Sequence, residues 1–172
     1  MGRFSEAPVD WSPFRVCAGG EKPPYPRSLS TPEGLGDRLR FVAFAEKQAH
    51  HAFALAAEVF SDLPAAARDL WRTLAAEEKK HLDWLLARMQ VLSIRPDERP
   101  QPLTLWHSFD QCDTPGKFAL FMANAEERGR VAGEKFFETL KAKDPVTAEL
   151  FRKIAEEERE HIRLARSVLD QI

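Results

Sequence analysis

Apolar residues recur along most of the chain at steps of three and four, the spacing at which one face of an α-helix repeats. Four long segments carry this pattern: Asp37 to Ser61, Pro64 to Leu92, Pro115 to about Lys141, and Pro145 to Asp170. On the first, Val42, Glu46, Ala49, Phe53 and Ala56 share a face; on the second, Leu70, Leu74, Glu78, His81, Leu85 and Met89 do. Phe118, Met122, Glu126, Gly129, Gly133 and Phe136 line the third, and Leu150, Ile154, Glu158, His161, Ala165 and Val168 the fourth. Three segments open on proline, which suits the first helical position because its missing N–H would have no helical partner there. Thr114 and Asp144 precede two of those prolines as N-caps. The expected fold class is all-α.

Connection lengths order these helices. Only a few residues separate the first from the second and the third from the fourth, so each pair should form an antiparallel hairpin. The link between hairpins, Ser93 to Thr114, has 22 residues. Extended, it would cover roughly 70 Å, so it serves as a long crossover instead of a tight turn. Residues 1–36 hold six of the twelve prolines and five of the eight glycines. They are expected to form an irregular N-terminal arm on a helical domain of residues 37–172.

Every apolar face is interrupted by charge. The stretch AEEEREHIRLA, residues 155–165, crowds four carboxylates and a histidine onto one helix. Most such runs are solvated faces. Here an internal repeat decides otherwise. Shifted by 80 positions, Glu46 falls on Glu126, and Glu77, Glu78 and His81 fall on Glu157, Glu158 and His161, with no gap between. Each hairpin thus carries a glutamate on its outgoing helix and Glu-x-x-His on its returning one.

Glu46 and Glu78 are 32 residues apart, centred on the turn FSDLP; Glu126 and Glu158 are also 32 apart, centred on KAKDP. In an antiparallel hairpin, residues equidistant from the turn lie at equal height. Positions i and i+3 of the Glu-x-x-His motif share a helix face. Four carboxylates facing one core would repel one another and lose hydration, unless cations compensate. One glutamate from each of two helices plus Glu-x-x-His from each of two others is the ligand pattern of ferritin-like di-iron and di-manganese four-helix bundles. Glu46, Glu78, His81, Glu126, Glu158 and His161 are therefore the expected ligands of two iron ions, or of manganese, since oxygen and imidazole donors without thiolate favour these metals over structural zinc. Glu156, Arg159, Glu160 and Arg163 form the solvated face. Glu77 and Glu157 also reach the histidines at i to i+4. Glu127 competes with Glu126, but only Glu126 keeps the offset. His50 lies one turn past Glu46, as an outer-shell donor or an extra ligand, although its repeat mate is Arg130. His51 and His107 are expected at the surface, and Trp71 and Trp84 in the core or an interface.

Composition narrows the function. A net charge of −2, with both signs mixed, leaves no footprint for nucleic acid or an anionic membrane. No apolar run is long enough to span a bilayer, and no secretion signal is evident, so a cytoplasmic protein is expected. Cys17 and Cys112 fit a reducing compartment, with a disulfide between them left open. There is no C-x-x-C pair for an iron–sulfur site. The only tyrosine, Tyr25, stands in the arm, which argues against a stored tyrosyl radical.

Several stretches carry a resemblance. They are STPEGLGDRLRF, E-x-Q-A at Glu46, Gln48 and Ala49, FSDLP, AAEEKKHLDWLLARMQVL, LWHSFDQ, MANAEERGR with E-x-R-G at Glu126, Arg128 and Gly129, and IAEEEREH. From Arg27 onward the chain resembles a bacterial ferritin-like family of unassigned function, related to the non-haem di-iron hydroxylase of isopentenyl-adenosine in tRNA. Relatives often continue past the last ligand helix, whereas this chain stops at Ile172. The resemblance implies a di-iron bundle and oxygen activation, with O2, an organic substrate and a separate electron donor as partners. A tRNA substrate sits poorly with the acidic balance, and a homodimer is compatible with the pattern. Iron oxidation or peroxide reduction is the enzymatic alternative; a metal-stabilised interaction module is the non-catalytic one.

Overall fold

The computed structural model describes Phe4 and residues 7–171. Five α-helices account for most of it: α1 (Pro32–Val59), α2 (Ala65–Val91), α3 (Thr104–Ser108), α4 (Pro115–Leu140) and α5 (Pro145–Ser167). Short 3₁₀ turns follow α3 at Phe109–Gln111 and α5 at Val168–Gln171. Among the described residues there is no strand, only an isolated parallel bridge between Val16 and Gln101. The all-α expectation holds. No helix among these residues is long and apolar enough to cross a membrane. Cys17 and Cys112 are both free thiols.

The helix ends follow local chemistry. Thr114 Oγ1 accepts from the Lys117 amide at 3.2 Å, and Asp144 Oδ1 from the Thr147 amide at 3.1 Å, as expected of N-caps. Pro115 and Pro145 stand just inside. Pro64 takes the position before α2, its carbonyl accepting from Ala67 and Arg68. The first helix begins at Pro32, not Asp37, because Thr31 caps it: Thr31 Oγ1 accepts from the Gly34 amide at 3.1 Å. The arm's irregular stretch therefore ends five residues before the boundary drawn from proline and glycine density. At its far end α2 stops on Ser93 in the left-handed region (φ 57°), with Ile94 N–H bonded to Met89 O at 2.8 Å and Ser93 N–H to Gln90 O at 3.0 Å. α5 ends three residues before Asp170, in the 3₁₀ turn.

Residues sort into two compact groups, Met1–Ala52 with Ala75–Gln111, and Phe53–Leu74 with Cys112–Ile172. In the first, the arm is held by aromatic and ionic contacts. Trp11 meets Phe44 of α1 (ring centroids 5.6 Å) and Trp106 of α3 (5.2 Å), and Phe14 meets Phe44 at 5.2 Å. Phe4 is fully buried, its ring 5.6 Å from Phe109 and its amide bonded to Asp110 Oδ1 at 3.1 Å. α3 is too short to be stable alone, and its own N-cap, Leu103, offers no side-chain bond. Buried Gln48 of α1 supplies one instead, its Oε1 accepting from the Trp106 amide at 2.9 Å.

An ionic clasp joins the same three segments. Asp37 receives Arg27 of the arm (Nη2 to Oδ1, 2.8 Å), Arg40 (Nη1 to Oδ1, 3.1 Å) and Arg99 of the crossover. Arg40 is completely buried and also bonds Glu98 (2.8 Å) and the Arg95 carbonyl (3.0 Å). Burial alone would raise the Asp37 carboxyl, but the Arg27 hydrogen bonds and the Arg99 charge outweigh it and hold the group at about 2.

In the second group α4 and α5 pack antiparallel. Gly133 lets them approach closely: a Cβ there would lie 3.2 Å from Ala155 Cβ. Phe136 meets Phe151 at 4.9 Å, and Trp71, Phe60, Phe53 and Phe118 form a ring cluster. The expected inward faces hold in most positions. Gly129 is exposed, however, while its neighbour Arg130, whose side chain is only 18% exposed, lies along α4 between Glu127 and Glu134. Val42, Leu70, Phe136 and Leu150 are half-buried, at the edges of their stripes.

Two outcomes follow. Asp37, lowered from 3.8 to about 2, binds its proton more readily unfolded than folded, so its contribution is complete above pH 4 and is lost as pH falls toward 2. Asp37→Asn is expected to lower stability at pH 7 by about 2 kcal/mol and to flatten the acid limb of the curve, checked by urea unfolding across pH. Gly34→Ala would set a Cβ 1.7 Å from the Ser28 carbonyl oxygen. The usual gain from alanine in a helix is reversed there, with a loss of roughly 2–4 kcal/mol by thermal melting.

Candidate metal centre

Each Glu-x-x-His motif occupies the buried side of its helix. Glu78 and His81 on α2 are fully buried; Glu158 and His161 on α5 are 2% and 3% exposed. A helix advances 100° per residue, so the three-residue step keeps each pair on one side, and apolar neighbours Leu74, Leu85, Ile154 and Ala165 drive that side inward. Within the second motif, His161 Nδ1 stands 3.4 Å from Glu158 Oε2. The outgoing helices add two more buried carboxylates, Glu46 on α1 and Glu126 on α4. Glu46 Oε2 is 3.9 Å from His81 Nδ1, so the glutamate of α1 does face the motif of α2 at the height fixed by the turn.

Glu78, His81, Glu158 and His161 come together. Each offers one ligand atom, and these atoms all lie within 4.8 Å of one another. Two imidazoles and two carboxylates at this separation can hold a metal ion. Glu46 and Glu126 are not members of that foursome; Glu46 reaches it through His81, and Glu126 shares the burial.

The competing residues separate cleanly. Glu127 is 46% exposed and bidentate with Arg130 (2.8 Å), which lowers its carboxyl by hydrogen bonding. Glu126, chosen on spacing, is the buried one. Glu77 pairs with Lys80 at the half-exposed edge of α2, and Glu157 is half-buried on α5. Glu156 pairs with Arg152, Glu160 with Arg163 at 2.5 Å, and Arg159 with Glu134 at 3.2 Å, which is the solvated face expected of AEEEREHIRLA.

The other histidines take different places. His50 Nδ1 lies 2.7 Å from the Ala75 carbonyl, on the turn of α2 just before Glu78, so that nitrogen ties α1 to α2. His107 is exposed, as expected. His51 is not a plain surface residue. It is half-buried against Trp11 (5.6 Å) and beside His50 (4.8 Å). Burial, reinforced by His50 and Lys47, pushes it down to about 4, leaving it neutral at pH 7. Its docking on the arm could not be read from helical periodicity.

Residues 14–171 match the model of a family described as "Protein of unknown function (DUF455)". The chain belongs to the DUF455 family. No curated protein and no solved structure matches it. The case for a metal centre in this DUF455 chain therefore stands on its own geometry.

Sequence reasoning missed one contact. Trp84, one turn past His81, lays its ring 5.5 Å from the imidazole at 39°. The i+3 spacing was the available signal.

Bound metal separates inward from outward carboxylates. Glu78→Gln and Glu158→Gln are each expected to weaken metal binding by at least the 10–100-fold typical of losing an outer-shell partner. Glu77→Gln and Glu127→Gln should leave it unchanged, with metal per chain measured by mass spectrometry after dialysis against graded chelator.

Proposed function

We propose that this DUF455 chain is a ferritin-like four-helix bundle holding two iron ions, or manganese, and that it activates O2 to oxidise an organic substrate. The observation that carries the reading is the buried foursome of Glu78, His81, Glu158 and His161, built from two Glu-x-x-His motifs in matched register. Glu46 and Glu126 complete the proposed ligand set. Three features support that assignment. Both are buried, both stand 32 residues before their motif glutamate, and Glu46 already neighbours His81.

The donor set suits the proposed metals. Four carboxylates and two imidazoles neutralise a divalent pair, and no thiolate enters that would select zinc or an iron–sulfur cluster. When bound, such a pair supplies redox equivalents and Lewis acidity toward O2. The remaining work belongs to the protein. The buried glutamates would supply negative charge to the centre, and the imidazoles of His81 and His161 would donate lone pairs. Leu74, Leu85, Ile154 and Ala165 exclude water from the helix sides that carry the motifs.

Partners follow from the same reading. A soluble cytoplasmic protein of this type takes electrons from a separate reductase, because its sequence contains no C-x-x-C pair. Its substrate is a small organic molecule, and its relation to the tRNA-modifying hydroxylase is one of shared ligand pattern.

Protein purified from iron-supplemented cells is expected to contain about two irons per chain, with near-ultraviolet bands of a bridged ferric pair. Glu126→Ala should keep the helical circular dichroism and lose both the second iron and O2 consumption. An O2 rate equal to the unaltered protein's would sink the oxygen-activating reading; a folded protein that takes up no metal would sink the metal reading itself.

A further inference from the structure

The two halves of the repeat hold the same ligand types yet differ one helical turn past the histidine. After His81 comes Trp84; after His161, at the equivalent position, comes Leu164. Both are half-buried. The repeat thus places an indole one turn past one motif histidine and an aliphatic side chain one turn past the other.

The surroundings of the indole indicate what it does. The Trp84 ring lies 5.5 Å from the imidazole of His81, tilted 39° to it, and His81 is fully buried. Trp84 keeps partial contact with solvent, so one rigid, conjugated side chain reaches from a ligand to the surface. Lys80 Nζ sits 5.2 Å from the ring centroid. A cation there, itself paired with Glu77, disfavours keeping a radical on the indole. Among the other aromatics, Trp71 is enclosed by Phe60 and Phe118, and Tyr25 is 94% exposed on the arm.

We propose that Trp84 is the path by which single electrons from an external flavin-class donor reach the metal pair, through His81. The inference rests on the metal-centre reading given above. In each transfer the reduced donor loses one electron, one ferric ion becomes ferrous, and Trp84 is unchanged at the end.

The test uses the full chain, loaded with iron and oxidised in air. Photoreduced free flavin mononucleotide then reduces it anaerobically, and the loss of the ferric bands is followed in a stopped-flow spectrometer. Trp84→Leu, which copies the Leu164 side, is expected to hold the same iron per chain and to be reduced about tenfold more slowly. Trp84→Phe, which keeps an aromatic wall but ends short of the indole's outer edge, is expected between the two. Moving the indole across, as Trp84→Leu with Leu164→Trp, should restore much of the rate. Full loading with an unchanged rate in Trp84→Leu overturns the proposal. If that variant fails to load iron, an unchanged rate in loaded Trp84→Phe does the same. Failure of the unaltered protein to bind iron overturns the metal-centre reading and this path with it, and it shows in the metal analysis before any flavin is added.

Discussion

A carboxylate taken out of water needs a counter-charge, and five are buried among the described residues: Asp37, Glu46, Glu78, Glu126 and Glu158. The structure meets the need in two ways. Asp37 is answered within the protein by the guanidinium groups of Arg27, Arg40 and Arg99, drawn from arm, helix and crossover. Glu78 and Glu158 stand instead with two buried imidazoles in a cluster that could hold a metal ion, and Glu46 lies beside His81. One arrangement fixes the fold. The other, in our reading, gives it chemistry.

These two polar centres meet on α1, which carries Asp37 and Arg40 of the clasp as well as Glu46. Along α1, Asp37 and Arg40 take the clasp and Glu46 faces His81; Gln48, only two residues further, turns the other way to hold the crossover helix at Trp106. Each side of α1 thus has an assigned partner within its first five turns. Side-chain freedom is removed from both sides of the glutamate, which is the condition for a ligand to keep its geometry.

The sequence was most informative where a repeat and a period coincided. Two constraints, the 3.6-residue turn and the 32-residue offset, point to the same six residues, and all six are buried. The offset also separated Glu126 from Glu127, a choice that hydropathy alone leaves even. Long-range contacts left no comparable trace. The Asp37 clasp joins residues up to 71 apart in ordinary charged stretches, and neither Arg40 nor Arg99 interrupts a pattern in a way that marks it as buried. Helix α3 was invisible for a related reason: five residues carry too little periodicity, and its stabilising bond comes from Gln48, 58 positions earlier. His51 and Trp11 met for reasons of arm docking that no local rule contains.

The arm has a consequence for how the chain is made. Phe4 is bonded to Asp110 across 106 residues, Val16 pairs with Gln101, and Arg27 reaches Glu98. The arm is thus made before the crossover residues that secure it. At a synthesis rate of about 5–20 residues per second, Phe4 waits roughly 5–20 s for Phe109 and Asp110, and Trp11 about as long for Trp106, although Phe44 of α1 is available to Trp11 and Phe14 sooner. Translation speed through the crossover therefore sets how long Phe4 and Trp11 wait for these partners.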